Sequence, residues 1–97
     1  MLWTFINEYK GGTYIAQINA ARLYSAIEKY VQKELSNVLV MAKSMPDAID
    51  VSLIPNELCC VEIQSVKSVY SLTLFDTKSK IKKSKDMQIH IILTAEA

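Results

Sequence analysis

A chain of 97 residues, of which 51% are hydrophobic and 22% charged, is long enough for one folded domain and too apolar to be intrinsically disordered. Its 11 basic and 10 acidic residues give a net charge of +1, so it lacks the strong basic excess that is typical of dedicated nucleic-acid-binding proteins. The two cysteines are adjacent and point to opposite faces if they lie on a strand, which excludes a disulfide framework and favours a reducing compartment.

The N-terminal residues lack the basic segment of a secretory signal peptide and reach Glu8 too early for its apolar segment. The sequence also contains no uninterrupted apolar run of the roughly 20 residues that cross a bilayer. We therefore expect a cytoplasmic protein that does not contact a membrane.

The first residues predict a β-hairpin. Two runs rich in aromatic and β-branched residues, 2–9 and 13–19, flank the dipeptide Gly11-Gly12. Glycine readily adopts the positive φ angles of two-residue hairpin turns, so the turn is expected at these two glycines. Both faces of the hairpin carry apolar side chains, so we expect one face to pack on a helix and the other to be partly covered.

Residues 20–35 have the three- and four-residue spacing of an amphipathic helix. Asn19 is the candidate N-cap, and Ser36-Asn37 is the candidate stop. Residues 38–41 either extend this helix or form a short strand. The apolar side of the helix is expected to pack on the sheet through Leu23, Ala26, Ile27, Tyr30, Val31 and Leu35.

The rest of the chain combines a short helix with strands. A helix is predicted from Ser44 to about Ile54, because a serine cap precedes a proline in the first turn. Strands are predicted at 58–63, 69–75 and 88–94, and 76–86 forms the polar loop of a long hairpin. The predicted fold is a single α+β domain: an antiparallel sheet of four to five strands, in the order ββα(short α)βββ, with one main helix on one face.

No residue pattern indicates catalysis. His90 is the only histidine and lies in an apolar strand, so a half-buried strand residue is a better interpretation than the base of a Cys–His pair with Cys59 or Cys60. Adjacent cysteines with one distant histidine lack the spacing of a zinc site, and the carboxylates are scattered. We expect a binding protein without metal or cofactor, and an enzyme that depends on the two cysteines is the less favoured hypothesis.

Two segments of opposite charge are the candidate binding surfaces. The lysine segment, 78–85, holds five lysines and no aromatic residue; it is either a solvated loop that discourages strand pairing or a contact for phosphate or an acidic partner. The acidic segment, 47–62, holds four carboxylates and no basic residue; it either docks a basic partner or covers the second sheet face with its apolar residues. The candidate partner-binding residues are Asp47, Asp50, Glu57, Glu62, Lys78, Lys80, Lys82 and Lys83.

Both ends of the chain resemble one group of small bacterial proteins. The opening Trp3-Thr4-Phe5-Ile6 and Gly11-Gly12-Thr13-Tyr14-Ile15-Ala16-Gln17 are similar to their tryptophan-led strand and "GGTYISQ"-type hairpin, and 66–70 and 89–94 are similar to their closing strands. These proteins are immunity proteins of bacterial toxin systems, including those of contact-dependent growth inhibition. The resemblance implies a protein that binds a cognate toxin domain and occludes its active or substrate-binding site.

A second resemblance is to HicB-type antitoxins. They also open with a strand, a glycine-containing turn, a strand similar to Thr13-Tyr14-Ile15-Ala16-Gln17, and a helix. The long C-terminal β-region and the lack of a separate DNA-binding segment count against this family. The alternative function is therefore a small nucleic-acid-binding or HicB-like antitoxin that uses the lysine segment, and for either function we expect a monomer or a small homo-oligomer.

Overall fold

The computed structural model describes residues 1–44, 48–51, 60–62, 68–76 and 86–95. Their helices and strands, in chain order, are β1 (Leu2–Tyr9), β2 (Gly12–Asn19), α1 (Leu23–Lys33), α2 (Leu35–Met41), β3 (Ile49–Asp50), β4 (Cys60–Glu62), β5 (Val69–Asp76) and β6 (Met87–Ala95). Four long strands form an antiparallel sheet in the order β2-β1-β6-β5, and the short strands β3 and β4 both pair with the outer edge of β5. The predicted α+β class with an antiparallel sheet is confirmed.

The first hairpin turns one residue earlier than predicted. Tyr9 pairs with Gly12, so the turn residues are Lys10 and Gly11, with φ angles of 50° and 79°. Positive φ at both central residues is what a type I′ turn requires. Gly12 instead begins β2, where a Cβ atom would lie 2.7 Å from the hydroxyl oxygen of Tyr14. Its missing side chain thus leaves room for the Tyr14 ring.

The helix begins later than predicted, and the candidate N-cap was wrong. Asn19 ends β2, and Arg22 holds the N-cap position without a side-chain hydrogen bond. The carbonyl oxygen of Asn19 accepts a hydrogen bond of 2.8 Å from Nζ of Lys29. Asn19 stays in β2 because it pairs with Leu2. Its carbonyl connects the end of this strand to α1 through Lys29.

The predicted stop at Ser36-Asn37 was also wrong, since both residues lie within α2. Helical hydrogen bonding continues across the junction at Glu34: its N–H donates to the Tyr30 carbonyl (2.8 Å), and its carbonyl accepts from the Val38 N–H (3.1 Å). Residues 38–41 thus extend the helix. The burial of Leu35, Val38 and Leu39 outweighs the weak helix propensity of serine and asparagine.

The short helix predicted between Ser44 and Ile54 was wrong where the structure describes it. Ile49 and Asp50 form β3 and pair with Asp76 and Phe75 of β5. Ile49 is buried in the core, so pairing with a distant strand outweighs the local signals for a helix start. Residues 45–47 and 52–59, including the two prolines of that prediction, lie outside the described residues.

The C-terminal strands agree with the prediction. β4 lies within the predicted run 58–63, and β5 and β6 extend their predicted runs by one residue at one or both ends. β5 and β6 pair antiparallel with Leu74 opposite Met87, as expected for a hairpin. The loop between them was predicted at 76–86; Asp76 instead ends β5, and 77–85 lie outside the described residues.

The core lies between the helices and one face of the sheet. The ring of Phe5 stacks on Tyr30 of α1, with centroids 4.4 Å apart and planes inclined by 5°. Full burial of a large apolar side chain contributes about 1.5–3 kcal/mol, so this layer fixes the helices on the sheet. Its large members are Trp3, Phe5, Tyr9, Ile18, Ile27, Tyr30, Leu35, Val38, Leu39, Leu72, Leu74, Met87, Ile89 and Ile91.

A buried amide, Asn7, connects three elements of this core. Its Nδ2 donates to Oη of Tyr30 (2.8 Å) and to Sδ of Met87 (3.1 Å), and no described group pairs with its Oδ1. Burial raises the pKa of Tyr30; the hydrogen bond with Asn7 acts in the opposite direction, and the Glu34 carboxylate adds to the rise. The Asn7–Tyr30 bond thus sets the position of α1 along β1.

Candidate protein-binding surface

The helices cover one face of the sheet and leave the other free of any described element. Side chains alternate between the faces along each strand, so the residues of this second face can be read from the register. We call this surface the open face. Within the four long strands it consists of Leu2, Thr4, Ile6, Glu8, Thr13, Ile15, Gln17, Asn19, Val69, Ser71, Thr73, Gln88, His90, Ile92 and Thr94, all of which are half-buried or exposed.

Apolar side chains lie at the centre of the open face. Ile6 of β1 is opposite Ile15 on one side and His90 on the other. Ile92, two residues after His90, pairs with Val69 of β5 and is a diagonal neighbour of Ile6. His90 is half-buried in a strand, which confirms the prediction from the sequence.

Hydroxyl and amide side chains surround this apolar centre and bond to one another. Oγ1 of Thr73 donates to Oε1 of Gln88 at 2.9 Å, and Nε2 of Gln17 donates to Oγ1 of Thr4 at 3.2 Å. The hydroxyls of Thr4 and Thr94 also share a hydrogen bond. These bonds hold the side chains in place before any partner binds, which lowers the entropy cost of binding.

The open face carries little charge. Among the fifteen open-face residues whose side chains the structure describes, Glu8 and His90 are the ionisable ones, and none is lysine, arginine, phenylalanine, tyrosine or tryptophan. Proteins that bind nucleic acid on a sheet supply cations for the phosphates and aromatic rings for the bases. The cores of protein–protein interfaces are, by contrast, depleted in charge. The open face therefore fits a protein surface better than a nucleic acid.

β2 forms one edge of the sheet, and in the described part of the chain it pairs with β1 alone. Tyr9 and Gly12 flank the two-residue turn and are therefore a hydrogen-bonded pair, and such pairs alternate along the ladder. The backbone N–H and C=O groups of Thr13, Ile15 and Gln17 consequently point away from β1. Among the described residues no strand occupies this side of β2, so its edge offers a row of backbone groups to another strand.

A cleft of about 280 Å³ separates β2 from the two helices. Exposed apolar side chains line it, since Ile15 is 67% exposed and Met41 is 58% exposed. The cleft is lined by Thr13, Tyr14, Ile15, Ala16, Tyr30, Glu34, Val38 and Met41. The β2 edge and the cleft form a second region suited to protein contact.

The residues selected from the sequence lie elsewhere or outside the description. Asp50 is half-buried in β3, and Glu62 ends β4 opposite Tyr70, so the structure brings these two positions to the outer edge of β5. Outside the described residues lie Asp47, Glu57, Lys78, Lys80, Lys82 and Lys83. The candidate residues were chosen from the sequence by their charge, and the open face carries little charge, so it was not predicted. The alternation of its residues along each strand was nevertheless visible in the sequence.

The described residues contain no group of three or more His, Cys, Asp or Glu side chains that could hold a metal ion. None of the described helices is long and apolar enough to cross a membrane.

Comparison with known proteins does not assign this chain to a family. No family model, no curated protein and no solved structure matched it. The function therefore has to be argued from the open face, the β2 edge and the residues around them.

Proposed function

We propose that this chain is an immunity protein that binds a cognate bacterial toxin domain in the cytoplasm and occludes its active or substrate-binding site. The observation that carries the proposal is the open face, a nearly uncharged surface four strands wide with an apolar centre and hydrogen-bonded polar surroundings. The resemblance of both chain ends to immunity proteins supports the same function.

To block the toxin's site by covering it, this chain needs a large contact area rather than reactive groups. Four strands about 4.8 Å apart, paired over about seven residues at ~3.3 Å each, give the open face a flat area on the order of 400 Å². A standard interface buries roughly 800 Å² on each partner. The open face thus supplies about half of the area that a standard interface buries on one partner. The remaining area has to come from the margins of the open face.

The two charged segments are connected to those margins. The lysine segment joins the ends of β5 and β6, and the acidic segment contains β3 and β4 at the outer edge of β5. Charged residues around an uncharged centre accelerate association and select partners, whereas the centre supplies most of the affinity. We propose this division of roles for the open face and the two segments.

The alternative, a nucleic-acid-binding antitoxin, depends on the lysine segment alone. The open face offers it neither cations nor aromatic rings among its described residues. It predicts an affinity for RNA or DNA that falls steeply with salt and is lost when Lys78, Lys80, Lys82 and Lys83 become glutamine. Retained binding of the toxin domain by that variant, with no nucleic-acid affinity in the native chain, would reject this alternative.

The proposal is tested with the toxin domain encoded next to this chain. We expect a complex in gel filtration and restored growth of cells that express the toxin. Ser71→Arg places a large cation on the open face beside His90 and should weaken the complex more than 100-fold, the effect of losing a hot spot of about 3 kcal/mol. Ser36→Arg makes the same change at an exposed position of α2 and should not affect binding.

Two outcomes separate the function from the surface. If no complex forms and growth is not restored, the proposed function is wrong. If a complex forms that Ser71→Arg does not weaken, the chain binds the toxin but through another surface than the open face.

A further inference from the structure

We propose that the edge of β2 pairs with β2 of a second copy of this chain around a two-fold axis at Ile15, so that the dimer contains one continuous antiparallel sheet. The starting observation is that no described strand or helix covers this edge. β2 has eight residues, no charge, no proline and an unbroken register with β1. Monomeric proteins usually protect an edge strand with lysines, proline, a bulge or very short strands.

The opposite edge of the sheet has such protection. There the long strand β5 is followed outward by β3 and β4, which have two and three residues. Short edge strands offer too few backbone groups to recruit another chain. The contrast singles out β2 as the long edge that needs a partner.

The backbone groups of β2 allow a symmetric pairing. Antiparallel pairing centred on Ile15 places this residue opposite its own copy, and Thr13 opposite Gln17 of the other copy. All three residues direct their N–H and C=O groups outward, so three hydrogen-bonded pairs form with two bonds each, about six bonds in all. The outward carbonyl of Asn19 is already bonded to Lys29, which limits the usable edge to the residues before it.

The side chains of this edge are complementary to themselves. Ile15, which is 67% exposed, would pack on its copy across the axis, and the hydroxyl of Thr13 would lie beside the amide of Gln17. No charged side chain stands on the strand, so none would face its own copy. On the helix side, the added strand would cover Met41 at the cleft.

A second copy of this chain fits the β2 edge better than a strand from another protein, because a symmetric dimer leaves no further edge to pair. A two-fold axis pairs both unprotected edges in a single contact and leaves the dimer with β3 and β4 at its outer edges. A strand donated by an unrelated protein would bring a further edge that itself needs a partner. The sheet of the dimer would contain the four long strands of both chains. Among the described strands, no long strand would then have an unpaired edge.

The test is the mass of the purified chain in solution. We expect light scattering after gel filtration to give twice the 10.9 kDa of one chain. Ile15→Lys and Ile15→Glu each place like charges opposite one another and should halve that mass. An equimolar mixture of the two variants should recover the dimer mass, because residue 15 then faces a residue of opposite charge.

Val40→Lys is the matched control, since it introduces the same charge at an apolar residue that is 73% exposed on α2, and it should leave the dimer intact. Unchanged circular dichroism would show that the variants remain folded. A monomeric native chain at ~100 μM, a dimer that Ile15→Lys leaves intact, or a mixture of the two charged variants that stays monomeric would each overturn the proposal. A native monomer that loses toxin binding on Ile15→Lys would assign the edge to the toxin instead.

Discussion

Replacing Tyr30 by phenylalanine tests whether the hydrogen bond between α1 and β1 stabilises the fold. The change removes the hydroxyl that accepts the 2.8 Å bond from Asn7 and leaves the stacked ring on Phe5 in place. Asn7 is fully buried, so bulk solvent does not reach it to replace the lost partner. An unsatisfied buried polar group costs about 1–3 kcal/mol, so we expect the free energy of unfolding at pH 7 to fall by that amount.

Tyr30→Phe should also change how the free energy of unfolding depends on pH. Because the pKa of Tyr30 is raised in the folded chain, the folded state holds this proton more tightly than the unfolded state. The resulting stability is fully present below the ordinary tyrosine pKa of about 10 and is lost as the pH rises through the higher, folded value. The native chain should therefore lose stability above pH 10 more steeply than Tyr30→Phe, and the two should converge.

Urea unfolding between pH 7 and 11, followed by the fluorescence of the buried Trp3, measures both effects. Tyr14→Phe is the control, because it removes the hydroxyl of a half-buried tyrosine of β2 that lies outside the fully buried core. Equal stability of the native chain and Tyr30→Phe at pH 7, or curves that stay parallel above pH 10, would refute the proposed role of the Asn7–Tyr30 bond.

Two further predictions concern the hairpin turn and the cysteines. Gly11→Ala should lower the free energy of unfolding by about 1–2 kcal/mol, because alanine resists the φ of 79°, and an unchanged melting temperature would contradict the assigned turn. Cys59→Ser combined with Cys60→Ser should protect cells from the toxin as well as the native chain does, and loss of protection by a variant that still folds and still binds the toxin would favour the enzyme hypothesis.

The long strands and the main helix could be predicted because their patterns are local. The position of the hairpin turn could not, because either register is compatible with the two adjacent glycines. Moving the turn by one residue shifts β2 by two residues along β1 and leaves every side chain on the same face, so the alternation along the strands does not distinguish the two registers.

β3 and the length of the helical segment depend on contacts between distant residues. Ile49 pairs with Asp76, and no local pattern indicates that contact, whereas Ser44 and Pro46 provide a local helix signal. The candidate surface was missed for a related reason. Its residues alternate on four strands, and they form one surface only once the order of the strands is known.

Methyl NMR of the isoleucines can show whether the open face contacts the toxin domain. Ile6 and Ile92 lie on the open face, whereas Ile27 and Ile49 are buried in the helix-covered core and in β3. When unlabelled toxin domain is added, we predict that the methyl signals of Ile6 and Ile92 shift or broaden and that the signal of Ile27 does not. Changes confined to Ile49, at the edge that contains the acidic segment, with Ile6 and Ile92 unaffected, would contradict the claim.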